Sequence, residues 1–86
     1  MQIDGAKIRE QGVTFGIIVV KPSVISNTTQ SSEMQAFGRK LFGTIPIILA
    51  AQDSSGRFTY YGRTDIVKFL SNVSPSRIPW QTYTIS

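Results

Sequence analysis

Two short apolar runs constrain this chain more than any other feature. Val13–Val20 and Ile45–Ala51 are rich in aliphatic, largely β-branched residues. The first lies between Gly12 and Pro22, and the second opens at Ile45-Pro46. Apolar runs this short, set between Gly and Pro, read as strands. Alternation places Val13, Phe15, Ile17 and Val19 on one face of the first strand, with Thr14, Gly16, Ile18 and Val20 on the other. In the second strand Ile45, Ile47, Leu49 and Ala51 oppose Pro46, Ile48 and Ala50. A strand that is apolar on both faces belongs at the centre of a sheet covered on both sides. Pro46 is tolerated because the first residue of a strand can forgo its amide donor.

The segment between these strands carries a helical period. Residues 21–27 read as a loop, since Pro22 removes a ladder donor. Asn27-Thr28-Thr29-Gln30 then fits a helix start, with Asn27 accepting from the first turn and Gln30 three positions on. Met34, Phe37 and Leu41 recur at helical spacing, with Phe42 beside them. Arg39 and Lys40 suit the negative end of the helix, and Gly43 is its stop. Gly38 inside the helix costs up to about 1 kcal/mol against alanine, unless something packs closely upon it. Strand, helix and strand of these lengths make a parallel pair with a right-handed crossover.

Gln52-Asp53-Ser54-Ser55-Gly56 reads as a hairpin turn, with Asp53 bonding its own backbone and Gly56 supplying positive φ. Arg57–Tyr61 is the third strand, with Phe58 and Tyr60 on one face and Arg57, Thr59 and Tyr61 on the other. Its polar face predicts an edge position. Gly62-Arg63-Thr64-Asp65 opens a second helix with Thr64 as its cap. Ile66, Phe69, Leu70 and Val73 supply an unbroken apolar stripe, and Ser74-Pro75 ends it. Residues 1–12 are polar apart from Ile3 and Ile8, with turn signals at Asp4-Gly5 and Gln11-Gly12; a short edge strand at Ala6–Glu10 is the most they suggest. The tail carries Pro79-Trp80 and Tyr83.

The expected fold is therefore a small α/β domain of two or three layers in the order β-α-β-β-α. A mixed sheet of three or four strands combines a parallel βαβ unit, an antiparallel hairpin and a C-terminal helix. The 86 residues allow one domain: an N-terminal arm or edge strand over 1–12, a core over 13–73 and a tail over 74–86. The run from Ile45-Pro46 through the hairpin, Gly62 and the helix, roughly residues 43–73, resembles the C-terminal half of thioredoxin-like proteins. The chain has no Cys-x-x-Cys, and residues 21–44 are too few for that fold's extra strand and helix. No activity is carried over from the resemblance.

Composition removes many chemistries. The chain has no cysteine and no histidine, which excludes disulfides, thiol catalysis, imidazole bases and nearly all zinc sites. Metal-assisted phosphoryl chemistry needs converging carboxylates, and the five acids Asp4, Glu10, Glu33, Asp53 and Asp65 are scattered. The segment Gly38–Gly43 has two glycines and two basic residues but not the spacing of a phosphate-binding loop. No catalytic residue, metal ligand or cofactor site is assigned. The net charge of +4 admits anionic partners, yet it is ordinary for a soluble domain and the basic residues are dispersed. The longest apolar run falls far short of the roughly 20 residues of a membrane span. With no signal-peptide pattern, a cytoplasmic protein without membrane contact is expected.

One constellation stands out as a candidate binding surface: Arg57, Tyr61, Arg63, Lys68 and Trp80. Aromatic faces interleaved with cations can stack bases and hold phosphates. The plainer expectation is that Phe58 and Tyr60 are core, Tyr61 is an edge residue and Trp80 packs the tail onto the body.

Three functions follow in order of preference: a non-catalytic interaction module that self-associates as a homodimer, a nucleic-acid-binding module using the aromatic and basic surface, and a small ligand-binding or hydrolase-like domain with its site at the strand ends. The first rests on cover. If both helices lie on one face of the sheet, the other face exposes roughly several hundred Å² of apolar surface, more than soluble monomers tolerate, and a second copy is the simplest cover. The alternative places the helices on opposite faces with the Trp80 tail filling the gap, an arrangement that needs no second copy.

Overall fold

The N-terminal segment builds an interior strand, not an arm. In the computed structural model, which describes residues 2–84, β1 spans Gln2–Glu10 and β2 spans Val13–Val19. They form an antiparallel hairpin closed at Glu10↔Val13. Gln11 and Gly12 both have positive φ, 50° and 79°, as a two-residue type I′ turn requires. The Gln11-Gly12 signal marks this turn, whereas Asp4-Gly5 lies inside the strand.

The chain then makes a short helix α1, Pro22–Ile25, where the sequence reading expects only loop. Helix α2 follows at Thr28–Phe42. Asn27 caps it as expected, its side-chain oxygen accepting from the Gln30 amide at 3.0 Å. The Ser31 hydroxyl donates to the Val24 carbonyl at 2.7 Å and ties the two helices together. Strand β3, Ile47–Gln52, pairs in parallel with β2, and β4, Phe58–Tyr61, returns antiparallel beside β3. Helix α3 covers Thr64–Ser71. Arg63, not Thr64, is its N-cap residue and provides no side-chain cap bond. A 3-10 turn at Pro75–Arg77 leads to β5, Gln81–Thr84, which pairs antiparallel with β1.

The molecule is an α+β domain with a five-stranded mixed sheet in the order β4-β3-β2-β1-β5. The expected three or four strands become five because β1 is fully formed and the tail supplies β5. The parallel unit, the hairpin and the final helix stand as expected. The helices occupy opposite faces. Ile18, Ile47 and Leu49 meet Val24, Met34, Phe37 and Phe42 on one side. Ile17, Ile48 and Ala50 meet Ile66, Leu70 and Ile78 on the other. The premise of a bare sheet face is thus not met, for a topological reason. The β2–β3 crossover fills one face with α1 and α2, while α3 carries the chain from the β4 edge to the β5 edge over the other. Among the described residues, no helix is long and apolar enough to cross a membrane.

Glycine sets how closely α2 approaches. A Cβ on Gly16 would lie 2.6 Å from Cδ2 of Phe42, so the Phe42 ring rests directly on strand backbone. A Cβ on Gly38 would lie 2.6 Å from Ile47 and 2.8 Å from Ile18. This is the close packing that justifies a glycine in mid-helix.

Candidate functional site

Strand β4 lies at an edge of the sheet, and its backbone polarity follows from the turn before it. The Asp53 amide donates to the Arg57 carbonyl at 2.9 Å. Directly opposed residues of an antiparallel pair alternate between bonded and non-bonded. The bonded pairs are therefore Asp53–Arg57, Ala51–Thr59 and Leu49–Tyr61. Consistently, Ala50 directs its carbonyl the other way, to the Val20 amide at 2.8 Å. Phe58 and Tyr60 consequently aim their amides and carbonyls outward from the sheet. Such an edge is a template for another strand.

Side chains on this strand divide by parity. Phe58 and Tyr60 pack on the α3 side. Their rings stack at 6.1 Å, and Phe58 stacks on Trp80 at 5.5 Å. The Trp80 indole N–H donates to the Pro75 carbonyl at 3.0 Å. Arg57, Thr59 and Tyr61 face the α1 and α2 side. Tyr61, 39% exposed, is the one large hydrophobic residue left open among the described residues.

The five residues of the expected binding surface are therefore divided. Arg57 and Tyr61 share one side of the β4 edge. Trp80 belongs to the opposite side, inside an aromatic stack. Arg63 is engaged at the start of α3, its Nε 2.8 Å from the Asp65 carboxylate. Lys68 is exposed on α3. No continuous aromatic and basic face joins all five.

The titratable groups near the edge have local work. Asp53 accepts from the Ser55 hydroxyl at 2.6 Å, the Ser55 amide at 2.9 Å and the Arg57 amide at 3.0 Å. The Ser55 hydroxyl, then the Arg57 amide, hold its carboxyl below the usual carboxylate range. The Arg63 guanidinium does the same for Asp65. Burial pushes the Tyr60 phenol up, and its hydroxyl has no hydrogen-bond partner among the described residues. Among the described residues, no three acids gather to hold a metal ion.

A crevice of about 570 Å³ opens at the carboxyl ends of β2 and β3 and is lined by Ile3, Val20, Lys21, Val24 and Met34 among others. The sequence reading places a ligand site at the strand ends but names none of these residues, because the crevice depends on β1 and α1. The outward pairing of Phe58 and Tyr60 was also missed, although the Asp53 turn fixes the parity that defines it. No family model matches the chain, and no curated protein or solved structure matches it.

Proposed function

We propose that this protein is a small non-catalytic interaction module that self-associates, and that the β4 edge is the surface it uses. The observation that carries this reading is the edge itself: outward amides and carbonyls on Phe58 and Tyr60, flanked by an exposed Tyr61. With both sheet faces packed by the chain's own helices, edge pairing takes the place of face-to-face dimerisation. A strand edge offers main-chain hydrogen bonds to any extended partner, and a second copy brings the same edge.

Sedimentation equilibrium over the micromolar range tests this. The expected result is a mass that rises with concentration from 9.5 kDa toward twice that value. A mass that stays monomeric throughout overturns the reading.

A second reading is ligand binding in the crevice at the carboxyl ends of β2 and β3. Open sheets with parallel strands take ligands at that position, and the lining is mostly apolar with Lys21 as its charged residue. Chemical-shift perturbation confined to Ile3, Val24 and Met34 on titration with an amphipathic anion such as decanoate is the expected sign. Its absence removes this reading.

A further inference from the structure

Self-association through β4, on which this inference rests, leaves the alignment of the two copies to be chosen, and the residues on the strand choose it. Copies related by a two-fold axis pair antiparallel along a shared edge. Hydrogen bonds across that edge form between residues whose backbone points outward, which are Phe58, Tyr60 and, just beyond the strand, Gly62. Alignments centred on Phe58, Thr59, Tyr60 and Tyr61 satisfy this parity, but the one on Tyr61 leaves only Tyr60 against Gly62 and sets Phe58 against Thr64, where α3 has begun.

An alignment centred on Phe58 joins little more than that residue to itself, because the strand begins there and Gly56, the next outward position, has a φ of 88°. An alignment centred on Tyr60 sets Phe58 against Gly62 of the second copy and loses an aromatic contact. It also brings Arg57 alongside Arg63 of the second copy at both ends, where the guanidinium is already engaged by Asp65 and offers Arg57 no partner.

The alignment centred on Thr59 has neither fault. Phe58 faces Tyr60 of the second copy, twice, which gives aromatic cross-strand pairs and extends the Trp80–Phe58–Tyr60 stack across the axis. Arg57 faces Tyr61 of the second copy, twice, placing a guanidinium beside an exposed ring. Thr59 faces itself on the axis, and threonine pairs favourably with threonine. We infer that two copies join β4 to β4 antiparallel with Thr59 on the two-fold axis, forming one continuous ten-stranded sheet. This explains why Arg57 and Tyr61, separated along one strand, belong to one surface: each is completed by the other residue from the second copy.

The absence of native cysteine makes the axis directly readable. Thr59 is exposed, and in this alignment its Cα lies about 4.5 Å from that of its symmetry mate, the spacing of a non-hydrogen-bonded pair. That falls within the range a disulfide spans. Thr59→Cys is expected to cross-link on mild oxidation at least about tenfold faster than Arg57→Cys, whose mate lies away from the axis. A second measurement uses charge. Thr59→Lys and Thr59→Glu each oppose like charges on the axis, so each alone is expected to dimerise about tenfold more weakly than the wild type. An equimolar mixture is expected to recover a heterodimer at wild-type strength.

Self-association of the wild type with no Thr59→Cys preference and no recovery in the mixture overturns this alignment and leaves the broader reading standing. A wild type that stays monomeric at every concentration overturns both.

Discussion

The two faces of the sheet are covered by different means. On the α3 side, side chains meet side chains. Ile66 and Leu70 pack on Phe15, Ile17, Ile48 and Ala50, and Phe15 meets Phe69 edge to face at 6.4 Å. On the α2 side, where Ile18, Ile47 and Leu49 also meet Met34 and Phe37, glycine lets the helix come closer. Phe42 lies on bare backbone at Gly5 and Gly16, Tyr83 closes against it at 5.2 Å, and Gly38 brings the helix onto Ile18 and Ile47. The fully buried residues of α2 are Ser31 and Gly38, whereas α3 buries Ile66 and Leu70. An amphipathic helix covers a sheet by apolar volume, while a weakly apolar one does so by approaching closely.

The largest expected break in this contrast is Leu70→Ala. Leu70 is fully buried, so its truncation is expected to cost about 2–5 kcal/mol in urea unfolding. A loss below about 1 kcal/mol shows that α3 does not dock by volume. Phe69→Ala, at a half-buried position, is expected to cost less than Leu70→Ala.

On the opposite face the expected lesion is the reverse, because added atoms destabilise. Gly16→Ala is expected to lose about 1–3 kcal/mol by overpacking against Phe42. Combining it with Phe42→Leu is expected to cost less than the sum of the two changes, since the smaller side chain relieves the clash. Strict additivity in that cycle shows that Phe42 does not occupy the glycine recess.

Asn27→Ala tests the α2 side without touching its packing. Loss of the cap to the Gln30 amide is expected to cost about 1 kcal/mol. An unchanged denaturation midpoint shows that the start of α2 does not depend on that bond.

The smallest expected effect lies outside both faces. Asp53 has a folded-state pKa below its ordinary value, chiefly through the Ser55 hydroxyl and then the Arg57 amide. Its contribution to stability is present above the ordinary carboxylate range and is lost as pH falls through the folded pKa. Asp53→Asn is expected to flatten the acid limb of the stability–pH profile relative to the wild type. An identical acid limb in the two proteins rules out that contribution.

Most of the central architecture is legible in the sequence. The apolar runs give β2 and β3, Asn27 marks the start of α2, and the stripe Ile66, Phe69, Leu70 marks α3, which ends at Ser71, short of Val73. The missing strand β1 is obscure for a physical reason. Gly5 and Ala6 lie beneath the helical layers and are buried because they are small, while Lys7, Arg9 and Glu10 run out beyond the cover. An interior strand so composed has little apolar alternation. Strand β5 offers less still, since Tyr83 is its single half-buried residue. The parity that separates Arg57 and Tyr61 from Phe58 and Tyr60 is readable from alternation. The placement of Trp80 against Phe58 is not, because it depends on the path of the tail over the α3 face.

The pairing of β1 with β5 has a consequence in time. The Thr82 hydroxyl donates to the Asp4 carboxylate across 78 residues of chain, joining nearly the first described strand residues to nearly the last. The β1–β2 hairpin is local and can close as soon as it leaves the ribosome, whereas β5 emerges after every other strand. At roughly 5–20 residues per second of synthesis, the interval between β2 and β5 is on the order of several seconds. Throughout it, the Gln2–Gly5 stretch of β1 that β5 pairs with is without its neighbour. During those seconds β5 has no opportunity to compete for that edge, which stays open until the last described strand arrives.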